Sequence, residues 1–204
     1  VSIYVGGPWY NAARVTLSHI CLKDIAIPKS APTVTYAPTV THGPTTSAPT
    51  PRPSVLNLAL TDKLIASDDA QYDYFGSSVA ISGDTIVIGA RSDADAGSAS
   101  GSVYVFRTTN GGVTYGQVAK LTASDAYSDG NFGISVAFDG DTIVVGSRYD
   151  DEGGSNSGSV YVFRTSDGGA TYGQVAKLTA SDAAADDRFG ASVAADGQKV
   201  VVGA

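Results

Sequence analysis

The side chains that could hold a hard cation or move protons in this chain are almost all aspartates, and they sit in polar loops. Asp93 and Asp95 share one such loop; Asp150, Asp151 and Glu152 share another, 57 residues further on. Asp68, Asp69 and Asp73, then Asp125 and Asp129, then Asp182, Asp186 and Asp187 stand ahead of three Phe-Gly pairs. Clustered carboxylates suit calcium, which takes about six to eight oxygen ligands. Their spacing changes from loop to loop, however, and solvated or turn-forming Asp is the ordinary occupant of such loops. The expected cofactor is therefore none, with calcium at Asp93, Asp95, Asp150, Asp151 and Glu152 as the metal-site expectation.

Nucleophilic chemistry has less material. The two histidines are His19 and His42 and the single cysteine is Cys21, so residues 63–204 contain neither type. A Ser-His-Asp or Cys-His arrangement cannot be assembled within that stretch. A carboxylate pair of the glycosidase kind is chemically open, but nearly every Asp recurs with the repeat described below, as structural residues do. No catalytic residue is expected, and the chain is expected not to be an enzyme.

The elements carrying these loops follow from the pattern of apolar residues. There is no Met and a single Glu, whereas Gly, Val, Thr and Ser abound, a balance that favours strands joined by tight turns. Lys63, Lys120 and Lys177 each open a copy of one unit, spaced by 57 residues: Lys63-Leu-Ile-Ala-Ser-Asp68, Lys120-Leu-Thr-Ala-Ser-Asp125 and Lys177-Leu-Thr-Ala-Ser-Asp182. Phe75-Gly76, Phe132-Gly133 and Phe189-Gly190 keep the same phase, as do Gly89, Gly146 and Gly203. Within one copy Ser77–Ser82 leads through Gly83-Asp84 into Thr85–Gly89, and the equivalent Asp139-Gly140 and Asp196-Gly197 are hairpin signals. Gly101–Phe106 and Thr114–Leu121 complete four strands per copy.

Four short antiparallel strands at this period describe a propeller blade. The small residues of the first strand suit a crowded inner channel, and Tyr104, Phe106 and Tyr115 are expected to fill the space between blades. Arg91, Arg107, Arg148 and Arg164 recur in matching places and are expected to pair with acidic loops of neighbouring blades. The fold class is all-β, with about two and a half four-stranded blades: residues 63–119, 120–176 and an incomplete 177–204, within a propeller region of 55–204. Val55–Leu60 aligns with an outer strand.

Upstream, residues 1–27 alternate like strands and are expected to be the last strands of a β-sandwich whose remainder lies before Val1. Residues 28–54 carry seven of the prolines among Thr, Ser and Ala, the composition of an extended, O-glycosylated stalk. The formal charge of −7 divides into about +3 over residues 1–54 and about −10 beyond them. Acidic repeats disfavour nucleic acid, whose phosphates require Lys and Arg. No apolar run approaches the roughly 20 residues that cross a bilayer as a helix, which leaves membrane attachment open. With no initiator Met, the chain is expected to be a piece of a longer protein.

Phe75-Gly76 followed by Thr85-Ile-Val-Ile-Gly89-Ala90, repeated at Phe132-Gly133 to Gly146 and Phe189-Gly190 to Gly203-Ala204, resembles the FG-GAP repeat of integrin α-subunit N-terminal β-propellers. Gly101–Phe106 and Gly158–Phe163 match its later strand. The resemblance implies a seven-bladed propeller placed outside the cell or on its surface, for recognition or adhesion through its loops, with a protein or glycan as partner. Two alternatives stand beside this: a non-catalytic accessory propeller of a secreted hydrolase, and a carbohydrate-binding propeller using aromatics such as Tyr104. Some members of the family carry a D-x-D-x-D-G calcium loop between the first two strands. Here that position holds only Ser82-Gly-Asp84, Asp139-Gly-Asp141 or Asp196-Gly-Gln198, so that site is not expected.

Overall fold

The computed structural model describes the backbone of residues 2–5 and the whole of residues 63–204, and every element among them is a strand. The sandwich reading of residues 1–27, apart from a strand at Ser2–Val5, lies outside the described residues. So do the stalk and the outer strand at 55–60, together with Cys21, His19 and His42.

In chain order the strands are β1 (Ser2–Val5), β2 (Phe75–Ser82), β3 (Thr85–Ala90), β4 (Ser102–Arg107), β5 (Gly116–Leu121), β6 (Phe132–Asp139), β7 (Thr142–Ser147), β8 (Ser159–Arg164), β9 (Gly173–Leu178), β10 (Ser192–Asp196) and β11 (Lys199–Gly203). They make two antiparallel four-stranded sheets, β2-β3-β4-β5 and β6-β7-β8-β9, and a third in which β10 and β11 form a hairpin with β1 parallel on its edge. The two complete sheets are successive copies of one blade.

Each blade opens with the hairpin that its Gly marks. Ser82 pairs with Thr85, Asp139 with Thr142 and Asp196 with Lys199, leaving two-residue turns. Gly83, Gly140 and Gly197 take φ of 54°, 57° and 58° while the residue after each keeps negative φ, the pattern of a turn with Gly at its first central position.

The two middle strands of a blade are buried on both faces, and so read as nearly continuous apolar runs. Val87, Val103 and Val105 of the first blade meet Phe132, Ile143, Val145, Tyr161 and Phe163 of the second. Val144 and Val160 meet Phe189 and Val202 of the third repeat in the same way. Each such side chain, fully buried, stabilises by about 1.5–3 kcal/mol. The Phe of each Phe-Gly pair stands edge-on to its own blade's aromatics, with Phe132 at 5.4 Å from Tyr161 and 5.9 Å from Phe163, as Phe75 is against Tyr104 and Phe106.

The conserved phase of the glycines has its reason in contact between blades. Gly89 of the first blade abuts Gly133 of the second, where a Cβ would collide with the Gly133 carbonyl oxygen; Gly133 itself has φ of 86°, and a Cβ there would lie 2.6 Å from the Ser102 carbonyl oxygen. Ser78 Oγ donates to that same Gly133 carbonyl at 2.8 Å, and Ser135 Oγ to the Gly190 carbonyl at 2.7 Å. Small residues in the first strand therefore let backbones meet, as the inner-channel expectation requires.

Candidate functional site

The β3–β4 connection and the segment before the Phe-Gly pair emerge at one end of every blade, opposite the hairpin turns. This loop end holds the acidic clusters. Tyr104 of β4 lies directly across from Lys120 of β5, and Tyr161 of β8 across from Lys177 of β9. Lys120 Nζ reaches Asp68 at 2.6 Å, Asp93 at 3.1 Å, and Asp95. Lys177 Nζ reaches Asp125 at 2.6 Å, Asp150 at 3.0 Å and Glu152 at 2.6 Å. The Tyr104 hydroxyl bonds Asp68 at 2.8 Å and Asp93 at 2.5 Å; the Tyr161 hydroxyl bonds Asp125 and Asp150, each at 2.8 Å.

Electrostatics follow that geometry. Burial penalises the ionised forms of Tyr104 and Tyr161, and the neighbouring carboxylates push both phenols further above their ordinary range. Burial works against Lys120 and Lys177 in their charged forms, but the carboxylates around each outweigh it and hold them protonated above the ordinary lysine range. The hydrogen bond from Lys120 draws Asp68 below the ordinary carboxylate range. Burial pulls Asp125 the other way, yet Lys177 and Tyr161 prevail and lower it.

Of the sequence-derived metal candidates, Asp93 and Asp95 come together with Asp68, and the three could share a cation. An ammonium already stands among them. Asp150 and Glu152 surround Lys177 likewise, while Asp151 instead accepts from the Asn156 amide at 2.6 Å. The two-residue hairpin turns cannot wrap an ion wanting many oxygens.

Two other expectations are corrected. Tyr104 does fill the core, but it is 1% exposed with its hydroxyl engaged by carboxylates, so it cannot touch a glycan. Among the described residues the arginines make no ion pair with the acidic loops: Arg107 and Arg164 end β4 and β8 beside the hairpin turns, at the opposite end of the blade, and Arg91 and Arg148 turn onto tyrosines. Arg91 lies over Tyr74 at 4.3 Å and Arg148 over Tyr149 at 4.5 Å, while Arg107 donates to the Gly168 carbonyl of the next blade.

Beside the second cluster, between the second and third repeats, is a cavity of about 600 Å³ walled by Tyr127, Asp129, Asn131, Tyr149, Asp151 and Asn156, with Arg188 across from them. A smaller one of about 410 Å³ adjoins it through Tyr127 and Asp151. The Tyr127 hydroxyl donates to the Tyr149 carbonyl. The guanidinium groups of Arg148 and Arg188 both stand over the Tyr149 ring, the latter at 5.7 Å. Asn156 Nδ2 donates to Asp186 at 3.0 Å.

These residues escaped a search for recurrence because they are where the copies disagree. All six positions from Asp69 to Tyr74 change between the first copy and the second, where Ala126–Asn131 stand, and Ser92, Ala94 and Ala99 become Tyr149, Asp151 and Asn156. Subtracting one copy from the next, rather than matching them, would have found the site.

The FG-GAP repeat family matches residues 59–106, 115–163 and 172–204, which together are most of the chain. The chain belongs to the FG-GAP repeat family. Its four-stranded sheets are FG-GAP blades, and the Gly89–Gly133 and Gly146–Gly190 contacts are what the Phe-Gly and Gly-Ala signatures build. FG-GAP repeats occur in propellers of extracellular adhesion and recognition proteins and are generally non-catalytic. No curated protein matches the chain.

Proposed function

We propose that this chain is an extracellular or cell-surface recognition module that binds a protein or glycan partner through the loop end of its blades. The observation carrying this reading is the distribution of sequence change. The inter-blade glycines and most strand positions recur between the first two copies, while the longest unbroken run of change, Asp69–Tyr74 against Ala126–Asn131, and the changes at Ser92, Ala94 and Ala99 gather at the loop end around one cavity. Loops held on a rigid scaffold are where binding residues concentrate.

Chemistry is disfavoured at the same end. The carboxylates grouped there are each paired with Lys120 or Lys177, and Tyr104 and Tyr161 are held in the protonated form, which removes these phenols as bases near neutral pH.

The test is a binding screen of the full chain against matrix proteins and cell-surface glycoproteins, with variants at each end of the blades. Saturable binding should be weakened by substitutions at Tyr127 or Asn156 and unchanged by Asp84→Ser with Asp141→Ser in the hairpin turns. Equal sensitivity at both ends would sink the reading.

A further inference from the structure

We infer that the cavity between the second and third repeats binds a neutral, hydroxyl-rich sugar of a glycan chain. This rests on the recognition reading and adds the ligand class and its residues.

The lining is matched to hydroxyl groups, each of which both donates and accepts. Asp129 and Asp151 offer acceptors and Arg188 offers donors; Asn131, whose Nδ2 is spent on the Ala99 and Asp129 carbonyls, offers its carboxamide oxygen, and Asn156 offers its oxygen and the Nδ2 hydrogen not given to Asp186. Tyr127 adds a half-buried ring of the kind that packs against the C–H face of a sugar. A cavity of about 600 Å³ is the size of an ordinary small-ligand pocket.

The walls are held before any ligand arrives. Tyr127 is fixed through its hydroxyl to the Tyr149 carbonyl, and the Tyr149 ring is in cation–π contact with Arg148 at 4.5 Å and with Arg188 at 5.7 Å. Asn156 is tied by its amide to Asp151 and by its side chain to Asp186. Preorganised polar walls reduce the ordering cost of binding a flexible ligand.

Charge narrows the class. Asp129 and Asp151 against Arg188 leave the cavity net negative, and the adjoining one adds Asp125, Asp150 and Glu152 against Lys177. Sialylated, uronate or sulfated sugars would meet that field unfavourably. The same field attracts a cationic peptide at long range, but at short range such a peptide would meet Lys177 among the carboxylates of the second cluster and Arg188 in the lining of the first cavity.

The first junction supplies a control within the molecule. Where the cavity has Tyr127, Tyr149, Asp151 and Asn156, the preceding repeat has Ala70, Ser92, Ala94 and Ala99. The quadruple variant Tyr127→Ala, Tyr149→Ser, Asp151→Ala, Asn156→Ala therefore installs residues this fold already accepts. Asn156→Ala alone is the milder version.

The experiment presents the full chain to an array of neutral, sialylated, uronate-bearing and sulfated oligosaccharides together with Arg- and Lys-rich peptides, followed by calorimetric titration with the best neutral oligosaccharide. Binding confined to neutral glycans, weakened at least tenfold in the quadruple variant and severalfold in Asn156→Ala at unchanged melting temperature, is the expected result. Preference for acidic glycans or basic peptides overturns the inference. So does neutral-glycan binding that the variants leave intact, which would place recognition elsewhere on the loop end and spare the broader reading. Failure to bind any glycan, while a protein partner binds through the loop end, overturns the sugar assignment alone; no loop-end partner of any class overturns both.

Discussion

Replacing Lys177 with Met keeps an unbranched stem across from Tyr161 and removes the ammonium from three carboxylates. The decisive partner is Asp150, whose side chain is 2% exposed and lies 3.0 Å from Nζ. At that separation the attraction in an effective dielectric near 20 is about 5 kcal/mol before desolvation is subtracted. Breaking a buried pair by removing one member costs about 3–5 kcal/mol. Two features reduce this. Asp150 keeps the Tyr161 hydroxyl at 2.8 Å and the Glu152 amide at 3.1 Å, and the Lys177 side chain is 19% exposed, so water reaches the site. Asp125 and Glu152, with side chains 47% and 58% exposed, each add less than about 1 kcal/mol. The expected loss is about 3 kcal/mol at pH 7, measured by urea denaturation, which for a chain of this size lowers the melting temperature by roughly 6–12 °C.

The double variant Lys177→Met, Asp150→Asn isolates the cause, because it removes the orphaned charge as well. It should be more stable than Lys177→Met alone. Raising salt to 0.5 M should recover only the part due to the exposed partners. A loss under 1 kcal/mol, or a double variant no more stable than the single one, would show that the ammonium is a surface ornament and that the cluster does not hold the loop end.

Three further outcomes follow from the same structure. Gly133→Ala meets both a left-handed φ, costing about 1–2 kcal/mol, and an inter-blade collision, costing about 1–3 kcal/mol; thermal melting should show a loss of about 3 kcal/mol, against under 1 for Gly116→Ala, which has open space around it. The depressed Asp68 and Asp125 contribute stability that is present above their ordinary value of 3.8 and lost as pH falls through their lower folded values, while the raised Lys120 and Lys177 contribute stability present below 10.5 and lost only as pH rises through their higher folded values. Denaturation midpoints should therefore plateau between about pH 4 and 10 and fall at both ends, and a midpoint declining steadily from pH 5 to 9 would contradict the assignment. Finally, Val79 and Ile81 on β2 are 66% and 65% exposed although their counterparts Val136 and Phe138 pack against the preceding blade, so Val79→Thr with Ile81→Thr should lower hydrophobic-dye binding and self-association in light scattering.

Much of the fold was legible because it rests on local signals. The period places Lys63, Lys120 and Lys177 in phase, Gly-Asp turns set the hairpins, and Phe-Gly marks each blade's first strand. What the period could not show is which distant residues meet. Lys120 is identifiable as the opening of a copy, but its partner Asp68 is 52 residues earlier, and they meet only because β5 returns across from β4 at the loop end. Tyr104 was correctly assigned to packing, yet its suitability for a glycan failed on the same register, which turns its hydroxyl inward onto Asp93. The arginines were misjudged because charge alone predicts ion pairs, whereas the register sets Arg107 and Arg164 beside the hairpin turns, away from the acidic loops, and Arg91 and Arg148 over tyrosine rings.

The loop end keeps one backbone shape while its side chains vary, and that is what allows it to specialise. Tyr72, Asp129 and Asp186 take φ of 77°, 68° and 64°, and Tyr74, Asn131 and Arg188 take 56°, 56° and 59°, though neither position keeps one side-chain chemistry. A left-handed conformation in Tyr or Arg is held only when its surroundings enforce it. In the second and third repeats they do so by backbone bonds between blades: Asp129 N to the Ser98 carbonyl at 2.6 Å, Asn131 N to Ala99 at 3.0 Å and Phe132 N to Ser100 at 3.0 Å, matched by Asp186 N to Ser155 at 2.8 Å, Arg188 N to Asn156 at 3.0 Å and Phe189 N to Ser157 at 2.8 Å. Since main-chain groups make all six bonds, the side chains at these positions are not needed to close the junction. Ala70 can become Tyr127 and Asn131 can be answered by Arg188 without reshaping the loops. The repeat thus supplies a fixed frame, and at the second junction Tyr127, Tyr149, Asp151 and Asn156 line a polar cavity on that frame where the first copy has Ala70, Ser92, Ala94 and Ala99.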